Sequence, residues 1–359
     1  MLQIDHIYHF FYDYLYRDFF LSHFPNGVPD GKTDLHIYIR TLTPKGTMLF
    51  YDQEPLREDY LDMYKEKVID PEGLESSHGT SILVTSEKSS MASQSEMHSL
   101  YYFYHGFAAL DWFRGYRAMN YKKQVVKKYD HDFISFNRIV TGDRMYRQQF
   151  IDLLRSSDLL NNGTVSYGVT DDPVTQDRLV IDQEQLSGDA SASIPLTFDC
   201  LEKDKSTKPN VDAFWHIVTE TVFYYDKLHL TEKIFKPIVS KQPFMLLAAP
   251  GNLEYLRSYG FKTFEGIIDE SYDKIKDNDA RINAVVEQIK WYCSLSDSDK
   301  FEIQRLIAPV VEHNFHHFYG KFREIITDEL LDNTKKLFKD IDYDDSGVDY
   351  DTVRQLLIS

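Results

Sequence analysis

The sequence predicts an α/β protein with two domains, each a parallel sheet covered by helices. Its 359 residues exceed what a single hydrophobic core usually organises, so two domains are expected. Strand-like and helix-like patterns alternate along the chain, which favours parallel strands joined through helices. Hydrophobic residues make up 42% of the chain and aromatic residues 14%, as in well-packed globular proteins.

The first predicted domain covers residues 1–129. Residues 1–24 are aromatic but carry interspersed acidic residues, which predicts an amphipathic helix packed on its own domain rather than a signal peptide. An aromatic stretch over residues 94–119 predicts one or two further helices. Short β-rich runs bounded by turn residues predict strands at 35–40, 47–52 and 81–86.

The second predicted domain covers residues 130–327. Its predicted strands are 133–139, 163–168 and 213–223, and its predicted helices are 143–156, 279–292 and 298–333. Residues 170–212 are polar and irregular, which predicts a long insertion or loop. Residues 228–264 read as helix, strand, helix and strand.

The C-terminal residues 328–359 are predicted to form an acidic helix or tail. Four of its residues match opening positions of an EF-hand calcium loop: Asp342, Asp344, Ser346 and Gly347. Val353 occupies the position of the bidentate glutamate in that loop. The missing ligand favours an acidic surface segment over a calcium site.

The most informative segment is 228–264, where charged and hydroxyl groups gather at a predicted helix start. Thr231 fits the N-cap of a helix beginning at Glu232, because its hydroxyl can accept a hydrogen bond from a first-turn amide. A helix amino end attracts anions, and Lys233 adds a positive charge there. Lys233 and backbone amides could therefore hold a diphosphate, while Glu232 accepts hydrogen bonds from sugar hydroxyls. A capped helix with a solvated Glu-Lys pair is the alternative.

This segment resembles a known donor-site motif. Residues 229–235 read HLTEKIF and precede a predicted strand that carries Pro243 and Phe244. They resemble the Thr-Glu-Lys motif of α-1,3-fucosyltransferases, and are more similar still to glycosyltransferase-like proteins encoded by large bacteriophages. In that family the Glu and Lys contact the nucleotide-sugar. The resemblance therefore implies donor binding by Glu232 and Lys233, and Thr231, the predicted cap beside them, is counted in the same donor site.

Two further stretches extend the resemblance. Residues 49–55, LFYDQEP, resemble the strand and turn that carry the catalytic carboxylate of those enzymes, which implies Glu54. Residues 144–154, RMYRQQFIDLL, resemble the helix whose arginine binds the donor phosphates, which implies Arg147. Glu220 is implied as a donor contact, but the Glu-Asn pair usual in the family is missing near it, so the donor sugar stays open.

The resemblance also implies a GT-B arrangement, in which two Rossmann-type domains face a central cleft. The N-terminal domain would then bind the acceptor and the C-terminal domain the nucleotide-sugar. Ligands in such sheets bind beyond the carboxyl ends of the strands. Glu54, Arg147 and Lys233 all follow predicted strands, so they could face one cleft.

Glycosyl transfer needs a base for the acceptor hydroxyl and positive charge for the departing diphosphate. Glu54 is the predicted base, and Asp52 is the alternative, because a strand places both residues on the same face. Direct attack by the activated hydroxyl would invert the anomeric carbon in a single displacement. The predicted phosphate-binding cations are Lys233 and Arg147, with Arg138 and Arg144 as alternatives.

The sequence thus predicts a nucleotide-sugar-dependent glycosyltransferase. A GDP-sugar is the favoured donor, and the hydroxyl acceptor is a glycan or a modified DNA base. The formal net charge of −17 repels a phosphate backbone and so favours a saccharide over DNA. A non-catalytic GT-B-like protein that binds a sugar or nucleotide is the alternative.

No cofactor is expected beyond the nucleotide-sugar co-substrate, since Arg, Lys and a helix amino end can supply the positive charge. A divalent metal is compatible with the sequence but not implied by it, because Cys200 and Cys293 lack a metal-type spacing. No apolar run is long enough to span a bilayer. A cytoplasmic protein is predicted, in the host cytoplasm if the chain is phage-encoded.

Overall fold

The computed structural model describes residues 4–9, 46–51, 55–58, 61–62, 80–89, 97–119, 126–137, 140, 142–165 and 212–358. These residues divide into two compact units. The first comprises Met1–Asp111 with Arg323–Ser359, and the second comprises Trp112–Phe322. Each unit carries its own parallel sheet.

In the residues that the structure describes, the sheet of the first unit has four parallel strands in the order β1-β2-β3-β4. Its strands are β1 Ile4–His9, β2 Gly46–Tyr51, β3 Thr80–Thr85 and β4 His98–Tyr101. The helices of this unit are α1 Tyr104–Trp112, α8 Phe322–Asp340 and α9 Tyr350–Ile358.

The acidic C-terminal segment belongs to the first unit. In α8, the amide of Asn333 donates to the backbone carbonyl of Tyr101 at 3.0 Å, and Glu329 pairs with Lys88 at 2.6 Å. These contacts tie the segment to the end of β4 and the turn after β3. The division therefore differs from the predicted boundaries at 129/130 and 327/328, and the roles predicted for the two domains stay predictions.

The elements of the first unit correct two expectations. The strands predicted at 47–52 and 81–86 are confirmed by β2 and β3. The helix predicted over 1–24 is wrong at its start, where β1 pairs in parallel with β2. The helical prediction over 94–119 is wrong for β4, a short strand completed by pairing with β3. Both segments contain β-branched or aromatic residues, and the neighbouring strand decided their conformation.

The sheet of the second unit is also parallel, with strand order β6-β5-β7-β8. Its strands are β5 His131–Ser135, β6 Gly163–Val165, β7 Ala213–Thr219 and β8 Phe244–Leu247. Its helices are α2 Tyr116–Met119, α3 Tyr146–Ser156, α4 Glu232–Val239, α5 Asn252–Ser258, α6 Asn278–Cys293 and α7 Asp297–Tyr319. The predicted α/β class with parallel sheets is confirmed.

The core of the second unit surrounds β7 and β8. Every residue of both strands is buried, as expected for parallel strands covered on both faces. Trp215 on β7 packs edge-on against Phe264 and Tyr292. The guanidinium of Arg281, 1% exposed, donates to the carbonyls of Phe223 and Ala248. That side chain thus joins α6 to the segments that follow β7 and β8.

The helix-strand-helix pattern predicted within 228–264 is confirmed by α4, β8 and α5. The last predicted strand, at 261–264, is wrong. Phe261 and Phe264 are buried there, but they pack on aromatic rings of the core, including Phe235 and Trp215, instead of extending the sheet. The strand predicted at 35–40 lies outside the described residues, and so does the loop predicted over 170–212 except for Asp212, which lies next to β7.

In the part of the chain that the structure describes, no helix combines the length and the apolar character needed to cross a membrane. The loop between α8 and α9 contains the residues that resemble a calcium loop. There Asp344 accepts a hydrogen bond from the amide of Ser346 at 3.0 Å, a local turn contact. Val353 lies within α9.

Candidate functional site

The candidate site lies at the carboxyl edge of the second sheet, where ligands bind in parallel α/β folds. In register, Thr219 at the end of β7 faces Leu247 at the end of β8, and Ile217 faces Ser135 at the end of β5. The hydroxyl of Thr219 bonds to the buried amide side chain of Asn137, just past β5, at 3.0 Å. Three strand ends therefore meet at one place.

Glu220, the residue after β7, has no exposed surface. One carboxylate oxygen accepts the backbone N–H of Thr231 at 3.1 Å, and the other accepts its hydroxyl at 2.6 Å. Burial raises the pKa of this carboxyl, while the charge of Lys233 and the bonds from Thr231 act in the opposite direction. Glu220 therefore fastens the start of α4 to the end of β7.

Thr231 is the N-cap of α4, as its sequence context predicts. Its backbone is extended (φ −106°), and its side-chain oxygen accepts the N–H of Lys233 at 3.4 Å. The same hydroxyl donates its proton to Glu220. Thr231 thus caps the helix with one lone pair and binds the buried carboxyl with its proton.

The ammonium group of Lys233 is held by three oxygen atoms. It donates to the hydroxyls of Thr221 at 3.2 Å and Thr231 at 3.0 Å, and to the carboxylate of Glu232 at 3.2 Å. The Lys233 side chain is 28% exposed and that of Glu232 16%. All three ammonium donors are in use, so a phosphate oxygen would replace one of these partners.

Arg147, predicted to bind phosphate, is 3% exposed. Its Nη2 donates to the backbone carbonyls of Thr219 at 2.9 Å and Glu220 at 3.1 Å. The hydroxyl of Tyr146 also donates to the carbonyl of Glu220. In this structure Arg147 therefore supports the backbone under the site. Its predicted contact with a donor phosphate stays a prediction.

Three predicted site residues, Asp52, Glu54 and Arg138, lie outside the described residues. Arg144 is partly exposed and ends the short 3-10 turn Gly142–Arg144 just before α3. Its charge acts on the phenol of Tyr146, which bonds to Glu220. The described predicted residues that come together at the carboxyl edge are Arg147, Glu220, Thr231, Glu232 and Lys233.

The sequence analysis did not predict two residues that the structure brings to notice, one in each unit. Thr221, next to Glu220, holds Lys233, and a hydroxyl beside a strand-end carboxyl could have marked it. In the first unit, Glu87 follows β3 and is 1% exposed. One of its carboxylate oxygens accepts the N–H of Leu56 at 2.8 Å. Leu56 lies two residues after Glu54 in the sequence. Only the pairing of β2 with β3 brings these segments together, so no local pattern marks Glu87.

Among the described residues, no group of three or more His, Cys, Asp and Glu side chains is arranged to hold a metal ion. The charged side chains at the site are those of Lys233, Arg147, Glu220 and Glu232. The expectation on cofactors stays a prediction.

Comparison with known proteins yields a structural likeness rather than a sequence match. No protein-family model matches the chain, and no curated protein is significantly similar to its sequence. Among solved structures, the chain is similar to the DNA-modifying enzyme β-glucosyltransferase, whose structure was determined in the presence and absence of its substrate uridine diphosphoglucose. The sequence identity is 9%, the TM-score is 0.39, and the match covers 83% of this chain and 74% of the other.

Proposed function

We propose that this chain is a nucleotide-sugar-dependent glycosyltransferase that holds the donor diphosphate at the amino end of α4. The observation that carries the proposal is the placement of Lys233. Its ammonium group lies 3.0–3.2 Å from three oxygen atoms, at the carboxyl edge of a parallel sheet and on a capped helix start. Positive charge and a helix amino end are what a diphosphate leaving group requires.

The reaction is proposed to be a single displacement with inversion. Glu54 takes the proton of the acceptor hydroxyl, and Asp52 is the alternative base. As the sugar–phosphate bond breaks, the diphosphate gains negative charge, which Lys233 and the amide groups of α4 stabilise. Lys233 then gives up one of its internal partners, Thr221, Thr231 or Glu232, for a phosphate oxygen.

The proposed substrates follow from the resemblance to α-1,3-fucosyltransferases and their bacteriophage-encoded relatives. A GDP-sugar is the favoured donor, and a glycan is the favoured acceptor. A modified DNA base is the less favoured acceptor because of the net charge of −17. A cytoplasmic location belongs to the same proposal.

The first test is a thermal-shift panel of GDP, UDP, CDP, ADP and their sugar conjugates. A ligand at about 100 times its dissociation constant adds roughly 2.7 kcal/mol of stability, enough to raise the melting temperature measurably. We expect a single base to respond. The shift should fall to about half or less in Lys233→Ala, because the weaker affinity leaves the site less saturated. It should persist in Lys276→Ala, a matched control whose side chain is 82% exposed and pairs with Asp226 at 3.5 Å.

Catalysis is tested by the release of nucleoside diphosphate from the responding donor in the presence of glycans or hydroxymethylated DNA. Glu54→Gln should keep donor binding and lower turnover by about two orders of magnitude or more. Near-normal turnover in that variant would move the base role to Asp52. Donor binding without transfer to any acceptor would instead support a non-catalytic nucleotide-binding protein, and no response to any nucleotide would overturn the donor site.

A further inference from the structure

A polar cavity lies in the same unit, at the opposite edge of the sheet from Lys233. Its volume is about 240 Å³, far more than the roughly 10–15 Å³ that one water molecule needs. It is lined by residues that lead into the strands: Asp130 and Asp132 around the start of β5, and Asn161 and Asn162 before β6. The cavity therefore opens at the amino edge, away from the strand ends that carry Glu220.

The two lysines of the cavity are already paired with carboxylates. Asp132 and Lys300 form an ion pair of 2.6 Å, with side-chain exposures of 16% and 17%. At the rim, Lys128 pairs with Asp297 at 2.8 Å, and both are well exposed. Since each lysine has a carboxylate partner, the lining offers no unbalanced positive charge for a phosphate or carboxylate ligand.

The remaining lining combines aromatic rings with neutral hydrogen-bonding groups. Tyr129 and Phe301 are partly exposed and contribute ring surface, whereas Tyr292 is buried, with its ring stacked on Phe214. Burial, followed by the charge of Asp212, raises the pKa of Tyr129 to about 12, and burial also raises that of Tyr292. Both phenols are therefore neutral at physiological pH, with a hydroxyl that can donate or accept.

Hydrogen bonds between the surrounding elements fix the walls of the cavity. The amide of Gln304 in α7 is bonded in both directions to the backbone of Lys127, at 2.9 and 2.8 Å. Asp132 accepts a further hydrogen bond from Asn162 at 3.3 Å. These bonds hold α7, the approach to β5 and the approach to β6 in fixed positions around the space.

We propose that this cavity binds one neutral sugar ring of a carbohydrate. The apolar face of a sugar ring packs on aromatic side chains, and its hydroxyls need donors and acceptors side by side. The cavity supplies both, with Phe301 and Tyr129 as ring surface and the carboxylates and amides as hydroxyl partners. Carbohydrate binding here is independent of the proposed donor site, and would let the protein hold a glycan away from the carboxyl edge.

The test is saturation-transfer NMR on the full chain with neutral methyl hexosides of gluco, galacto and manno configuration. Glucuronate and glucose 6-phosphate serve as charged counterparts. We expect at least one neutral hexoside to bind and the charged sugars to bind more weakly. Asn161→Ala and Phe301→Ala should each lower the affinity by about five- to ten-fold. Asn283→Ala, at an exposed position of α6, is the matched control and should leave it unchanged.

The Lys233→Ala variant separates this cavity from the donor site. Sugar binding that persists in Lys233→Ala and falls in both cavity variants supports the proposal. Sugar binding lost in Lys233→Ala and kept in the cavity variants would assign the sugar to the donor site and overturn it. The proposal is equally overturned if no neutral hexoside binds at millimolar concentration, or if only the charged sugars bind. Circular dichroism confirms that each variant is folded.

Discussion

Two helices start at the carboxyl edge of the second sheet, and different groups bind the backbone amides at their amino ends. α4 begins after Thr231, whose neutral hydroxyl caps the helix, and it carries Lys233 in its first turn. α5 begins after Gly251, which has a positive φ of 83° and no side-chain cap. There the carboxylate of Asp273 accepts the N–H groups of Leu253 at 3.0 Å and of Glu254 at 3.3 Å.

The difference shows which amino end remains suited to an external anion. A helix amino end carries about half a positive charge, which a bound carboxylate neutralises. At α5 the carboxylate of Asp273 already binds the first-turn amides, so the anion position at that helix end is occupied by the protein itself. At α4 the cap is a neutral hydroxyl, and the buried carboxyl of Glu220 binds the cap residue Thr231 rather than the first-turn amides. Lys233 balances Glu232 at 3.2 Å. Position in the fold alone would make the two helices equivalent, whereas their partners support α4 as the diphosphate site.

The largest effect is expected from removing the carboxylate that caps α5. Asp273→Ala should lower the free energy of unfolding by about 2–3 kcal/mol, because two amides lose charged acceptors in a largely buried place. Urea denaturation measures the change. Asp279→Ala, in the exposed first turn of α6, should cost much less. Equal losses in the two variants would mean that Asp273 has no special role.

Removing the cation of α4 should affect binding more than stability. Lys233→Ala is expected to weaken nucleoside diphosphate binding by about 1.5–3 kcal/mol, the range of charge-assisted hydrogen bonds. Isothermal titration calorimetry measures this, with Lys233→Arg retaining part of the affinity through its charge. If Asp273→Ala weakens binding as much as Lys233→Ala does, the two helix ends would not differ in the way proposed.

Acid should weaken the packing beneath α4. His216 on β7 is buried, and burial, then the charge of Lys236, lowers its pKa to about 3, while a hydrogen bond from its Nδ1 to the side-chain oxygen of Gln242 opposes the shift. The unfolded chain protonates this histidine near pH 6.5, so its contribution is complete above that pH and is lost as the pH falls towards 3. At about pH 5 the loss should be about 2 kcal/mol.

The measurement is the difference in unfolding free energy between neutral pH and about pH 5. His216→Gln should remove most of the pH-dependent difference, whereas His98→Gln, at an exposed position, should retain it. An identical pH dependence in wild type and His216→Gln would contradict the assignment.

The smallest expected effect concerns the cap itself. Thr231→Val keeps the shape of the side chain but removes the acceptor for Lys233 N–H and the donor to Glu220. It should lower the free energy of unfolding by about 1 kcal/mol. Thr231→Ser restores the hydroxyl and should recover most of the loss. A full loss in the serine variant would indicate that the methyl group, rather than the hydroxyl, matters at this position.

Local sequence was informative where the contacts are local. The start of α4 at Glu232 and the cap by Thr231 were predicted because the cap bonds a residue two positions away. The strands β2, β3, β7 and β8 were predicted because runs of β-favouring residues between turns report a buried strand. β1 was mistaken for a helix, since its aromatic residues fit either structure until the pairing with β2 selects one.

Local sequence was enough to predict the α/β class, the alternation of elements and the capped helix that carries Lys233, because these depend on neighbours within a few residues. What surrounds that helix depends on tertiary packing. It buried Glu220 against Thr231, 11 residues away, turned Arg147 onto carbonyls 72 and 73 residues away, and filled the end of α5 with Asp273. It also formed the cavity at the amino edge. The side chains that meet in these places are distant in the chain, and only the packing of the parallel sheet against its helices brings them together.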